Sequence, residues 1–76
     1  MNITLELERE DDGRWLAEAP ELPGVMAYGS TPKDAAARVQ ALALRVIADK
    51  LENGEFVPGL DAISFAMPHH EPVAVR

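Results

Sequence analysis

The chain contains no cysteine, and only four of its 76 residues are aromatic. Without thiols there is no disulfide framework and no thiolate metal site. Cations are scarce as well: seven Lys and Arg stand against thirteen Asp and Glu, a formal net charge of −6. The imbalance is concentrated at one end. Residues 1–30 hold seven acids and two bases, whereas residues 31–53 hold three acids and four bases. Phosphate binding needs clustered Lys and Arg, so direct nucleic-acid binding is not expected. A basic protein partner is compatible with this charge. No apolar run approaches the roughly 18 residues of a membrane span, and the first strand-like segment carries charges, so neither a span nor a signal peptide is expected. The cytoplasm is the expected location.

Catalytic signatures are missing too. There is no glycine-rich phosphate loop, no Gly-x-Ser-x-Gly, no His-Glu-x-x-His and no deaminase motif. The two histidines, His69 and His70, are adjacent. In an extended chain they point to opposite sides, and no third ligand lies near them. Carboxylates are plentiful, but nothing selects two of them as an acid–base pair. No enzymatic activity, metal or cofactor is therefore expected.

What is present is strong patterning. Residues 2–9, NITLELER, alternate strictly, with Ile3, Leu5 and Leu7 on one side and Thr4, Glu6 and Glu8 on the other. That is a half-buried strand. Residues 14–19, RWLAEA, place Trp15, Ala17 and Ala19 on one face. Asp11-Asp12-Gly13 between them reads as a three-residue hairpin loop, with Gly supplying the left-handed position. Such a loop pairs Glu10 with Arg14, Leu7 with Ala17 and Leu5 with Ala19, which keeps both apolar sets together. It also sets Glu6 opposite Glu18, with Glu8 nearby, and directly opposed like charges destabilise a ladder. Either solvent screens these carboxylates or a cationic partner docks on them.

Pro20 to Gly24 breaks the chain, with Pro20, Pro23 and Gly24 stiffening the crossing, and Val25 to Gly29 reads as a third strand. Thr31 is a good N-cap, Pro32 suits the first helical position, and Asp34 completes a capping box. The helix is expected to run to Glu52 or Asn53 and to stop at Gly54. Its core stripe is Ala35, Val39, Leu42, Ala43, Val46 and Ile47. Asp34, Arg38, Arg45, Asp49 and Glu52 form a charged stripe, with Asp34 and Arg38 a favourable i,i+4 pair. A further stripe of Ala37, Ala41, Leu44 and Ala48 lies away from both. Either these alanines serve only as helix formers, or the side is covered by the C-terminal tail or by a second subunit. A last strand is expected over 62–67, after a connection containing Pro58-Gly59.

The expected architecture is α+β: a three-stranded antiparallel meander, one long helix packed on it, and a final edge strand, in the order β-β-β-α-β. Residues 1–67 form a single domain and 68–76 a tail. A domain of this size buries only about 60% of its unfolded surface. A core of about ten large apolar side chains, each contributing roughly 1.5–3 kcal/mol, is marginal, so a homo-oligomer is expected.

Three segments give the chain a resemblance to the HicB-like antitoxin family. Residues 12–24, DGRWLAEAPELPG, look like that family's aromatic-x-Ala-x-x-Pro-acidic-Leu-Pro-Gly segment. Residues 29–35, GSTPKDA, are similar to its Gly-x-Thr-x-x-acidic-Ala helix start, and 51–58, LENGEFVP, to its helix exit. The resemblance implies a partial ribonuclease-H-like fold without catalytic carboxylates. It also implies a partner, a small basic HicA-type toxin that cleaves messenger RNA and whose active surface the antitoxin covers. Glu6, Glu8 and Glu18 are the candidate partner-binding residues, and Ala37, Ala41, Leu44 and Ala48 the candidate oligomer interface. About ten residues follow the last strand, too few for the C-terminal DNA-binding domain that many members carry. The alternative function is a stand-alone oligomeric scaffold or small-ligand-binding module with no toxin.

Overall fold

The alternating first segment divides its pairing between two neighbours. In the computed structural model, which describes residues 1–68, strand β1 (Asn2–Thr4) and strand β2 (Glu6–Arg9) are separated only by Leu5. The expected single strand over 2–9 is thus two short ones. β2 pairs antiparallel with β3 (Trp15–Glu18), and β3 pairs antiparallel with β4 (Met26–Gly29). β1 instead pairs in parallel with β5 (Ser64–Ala66), matching Ile3 to Phe65. Leu5 is where the partner changes, and its N–H donates to the Ala66 carbonyl at 2.9 Å. The architecture is α+β: a three-stranded antiparallel sheet, a helix packed on it, and an extra strand parallel to the first.

The hairpin has the expected register. Glu6 lies opposite Glu18 and Leu7 opposite Ala17. The loop closes with the Glu10 N–H donating to the Arg14 carbonyl at 2.7 Å and the Gly13 N–H to the Glu10 carbonyl at 2.9 Å. Gly13 has φ of 92°, a conformation that few other residues adopt cheaply. The crossing at Pro20 to Gly24 is two consecutive turns: Leu22 N–H donates to Ala19, and Val25 N–H donates to Leu22.

Helix α1 (Pro32–Glu52) begins as its sequence dictates. Thr31 is extended at φ −135° and ψ 161°, and its Oγ1 accepts from the Asp34 N–H at 3.0 Å. The return bond differs from a standard capping box. The Asp34 carboxylate accepts from the N–H of Ser30, one residue before the cap, at 3.1 Å. At the other end Asn53 is the cap, and Gly54 at φ 78° lets its N–H reach Leu51 and that of Glu55 reach Lys50. This is the Schellman arrangement, which satisfies carbonyls the helix leaves open.

Ala35, Ala36, Val39, Ala43 and Ile47 of the helix share one core with Ile3, Leu5, Ala17, Ala19 and Val25 of the strands and their junctions, and with Val57. Leu42 and Val46 flank this stripe half-buried. Gly29 ends β4 against the helix start. A Cβ there would stand 2.7 Å from the Ala35 Cα and 2.9 Å from the Asp34 carbonyl carbon, closer than van der Waals contact allows. The β4–helix contact therefore needs a residue without a side chain.

Candidate functional site

The outer face of the sheet, away from the helix, is built by simple alternation. With Leu7 and Ala17 turned toward the core, Glu6 and Glu8 of β2 and Leu16 and Glu18 of β3 stand on the other side. β4 continues both rows, with Met26 beside Glu18 and Tyr28 beside Leu16. Glu6, Glu8, Leu16 and Glu18, together with Thr4, Leu5, Leu7 and Pro68, line an open groove of about 500 Å³. The three carboxylates named from the sequence are thus neighbours around one concavity.

No described cation neutralises them. The ion pairs among the described residues are Arg14–Asp12, Arg38–Asp34 and Lys50–Glu55. Arg9 ends β2 and forms none of these pairs, and Arg14, just before β3, is engaged elsewhere. Its Nε bonds Asp12 Oδ2 at 2.7 Å, and its guanidinium carbon sits 4.1 Å from the centre of the Tyr28 ring. From the crossing, Glu21 Oε2 accepts from the Thr4 N–H at 3.3 Å, although Glu21 itself does not line the groove.

Two acids elsewhere are held below the usual carboxylate range. For Asp34 the first cause is the Ser30 N–H, followed by Arg38, whose Nε bonds it at 3.1 Å. For Asp12 the first cause is the Arg14 N–H. Both groups organise local structure, one at the helix start and one at the hairpin, and neither lines the groove.

The second stripe of the helix is open. Ala37, Leu44 and Ala48 are exposed and Ala41 is half-buried, so no described element of the chain covers it. His69, His70 and the rest of the tail lie outside the described residues. Pro20, Pro23 and Gly24 form the crossing, with Gly24 at φ 82°, and Thr31, Asp34 and Gly54 form the helix ends, all as structural parts. Phe56 is 87% exposed just past the helix, and nothing in the described residues explains it.

Sequence reasoning left out the apolar half of the groove. Leu16 was legible, because alternation with Ala17 puts it on the side of Glu18. Pro68 carries no such signal, since it reaches the groove only because β5 pairs with β1. Among the described residues no group of three or more His, Asp or Glu is placed to hold a metal ion. None of their helices is long and apolar enough to cross a membrane. No family model, no curated protein and no solved structure matches the chain.

The chemistry of this face lies in its charge and its apolar contacts. It offers clustered negative charge on a rigid sheet, with Leu16 and Pro68 giving apolar contact. Basic side chains with aliphatic stems suit that combination, since the stem packs while the charge meets a carboxylate.

Proposed function

We propose that this chain is an antitoxin-like, non-enzymatic, cytoplasmic protein that binds a small basic RNA-cleaving toxin of the HicA type. The observation that carries the reading is the convergence of Glu6, Glu8 and Glu18 around one groove, with no cation of the described residues paired to them. The resemblance of residues 12–24, 29–35 and 51–58 to HicB-like antitoxins supplies the class of partner. A toxin that grips RNA phosphates presents a cationic surface, and an acidic sheet face is its electrostatic complement. Such complementarity mainly accelerates encounter and selects the partner, and salt weakens it.

The test is the association rate with a small basic protein encoded beside this chain. Replacing Glu6, Glu8 and Glu18 together by Gln should slow association at low salt by about tenfold and flatten its salt dependence. Unchanged rates would remove the outer sheet face as the docking surface. A stand-alone ligand-binding module is the second reading, favoured by the groove's volume, which falls in the roughly 300–1,000 Å³ range of small-molecule sites. The absence of any basic neighbouring protein that binds, with saturable uptake of a cationic small molecule, would select that reading.

A further inference from the structure

The open side of α1 carries more than the four residues already named. Ala37, Ala41, Leu44, Ala48 and Leu51 follow one another at spacings of four, three, four and three. That is the a/d repeat of a coiled-coil seam, with Ala37, Leu44 and Leu51 at one position and Ala41 and Ala48 at the other. At about 100° per residue, the seam lies roughly 120–130° around the helix from the stripe of Ala35, Ala36, Val39, Ala43 and Ile47 that meets the sheet. Leu44 is 47% exposed and Leu51 43%. Single exposed leucines are ordinary. Two leucines one heptad apart, on a line otherwise made of alanine, form a continuous apolar strip.

We propose that this strip pairs with the same strip of a second copy, the two helices running antiparallel about a two-fold axis beside Leu44. Leu44 then meets the partner's Leu44. Ala41 meets the partner's Ala48, and Ala37 meets the partner's Leu51. Small residues thus face small or large ones, never two leucines at the ends, and the helix axes approach closely, toward about 8 Å.

Charge on the flank selects this orientation. Arg38, Arg45 and Glu52 occupy the same heptad position beside the seam. In an antiparallel pair, equivalent flanks meet, so Arg38 falls opposite the partner's Glu52, twice by symmetry. Parallel pairing would instead set Arg38 against the partner's Lys33 and Glu52 against the partner's Ile47. Arg38 uses its Nε on Asp34, and no described residue accepts from its two terminal nitrogens. Glu52 has no ion-pair partner among the described residues. One contact opposes the arrangement: Arg45 approaches the partner's Arg45, with Asp49 one turn along each helix to offset it.

The pairing is closed, so it makes a dimer and not a filament. It leaves both sheets, with their carboxylate faces, outside the helix–helix contact. A single helix pair is a small interface, below about 1,200 Å², so dissociation on the order of micromolar is expected.

Sedimentation equilibrium of the full chain over roughly 1–200 µM should show reversible monomer–dimer exchange; a monomer mass throughout overturns the proposal. Glu52→Arg and Arg38→Glu should each raise the dissociation constant by about tenfold, and combining them should restore it. Failure of the combination to restore it overturns the antiparallel register. Arg45→Gln should tighten the dimer. The lack of native cysteine gives a clean cross-linking background. Leu44→Cys should form a disulfide-linked dimer by itself, whereas Ala48→Cys should cross-link only when mixed with Ala41→Cys. Ready self-linking of Ala48→Cys would mean parallel helices. These positions are exposed or at the rim, so the readouts do not depend on a variant that fails to fold.

Discussion

Gly29 shows how much one hydrogen atom in place of a side chain decides. Its role is close approach, since a Cβ would collide with the backbone of Asp34 and Ala35, which cannot move without shifting the helix. Gly29→Ala should therefore lower stability by about 3 kcal/mol, measured by urea denaturation. Gly24→Ala is strained for a different reason, its φ of 82°, although its Cβ would meet open space. Asp34 works through charge. Its carboxyl is held below the ordinary 3.8, first by the Ser30 N–H and then by Arg38. A lowered native pKa means that the unfolded chain takes up a proton first as pH falls. The stabilisation is complete above the unfolded value and disappears as pH drops through the lower folded one. Asp12 behaves in the same sense. The stability difference between wild type and Asp34→Asn should be constant from pH 7 to about 5 and shrink below about pH 4. A difference that instead grows with acid would contradict the role assigned to this carboxylate.

At the scale of elements, the first hairpin carries a conflict. Glu6 opposes Glu18 directly in the β2–β3 ladder, and Glu8 lies on the same face. The apolar side compels that register, since slipping by one residue would turn Leu5 and Leu7, now in contact with the core, toward solvent. The carboxylates therefore meet because the leucines must. Glu18→Lys should relieve the repulsion and stabilise the domain by about 0.5 kcal/mol, while slowing association with the proposed basic partner. Thermal melting and binding kinetics on the same variant check both halves. A destabilised variant would show that the packing around Glu18, which is half-buried, outweighs the charge. The helix shows the opposite case, agreement at every level: cap, proline, i,i+4 pair, apolar stripe and Schellman glycine all coincide.

The whole molecule has a modest interior. Among the described residues, five of the eleven buried apolar residues are alanine, and the largest fully buried side chains are Ile3, Leu5 and Val39. Alanine burial contributes little apolar area, so the sequence-based expectation of about ten large core side chains overstates the core. Alanine has a use here, because it lets a helix lie close to a sheet. The resulting stability should be low and, if the helices pair as proposed, dependent on concentration. A tenfold increase in protein concentration should raise the melting midpoint by about 3 °C. A midpoint independent of concentration, with reversible melting, would separate folding from assembly.

Local chemistry determined most of the elements. Thr31-Pro32, Asp34 and Gly54 mark the helix ends because the groups that satisfy its open backbone lie within a few residues of it. Asp11-Asp12-Gly13 set the hairpin register for the same reason, and with it the meeting of Glu6 and Glu18. Tertiary structure decided what no local rule contains. Alternation over residues 2–9 says that one side is buried, but not that pairing passes from β5 to β3 at Leu5. Both neighbours use the same extended backbone, and the choice between them depends on residues some sixty positions away. The groove follows from that choice, since Pro68 reaches it only through the β1–β5 pairing. Gly29 likewise reads in sequence as a strand end, and only the packed helix reveals that the space above it is already filled.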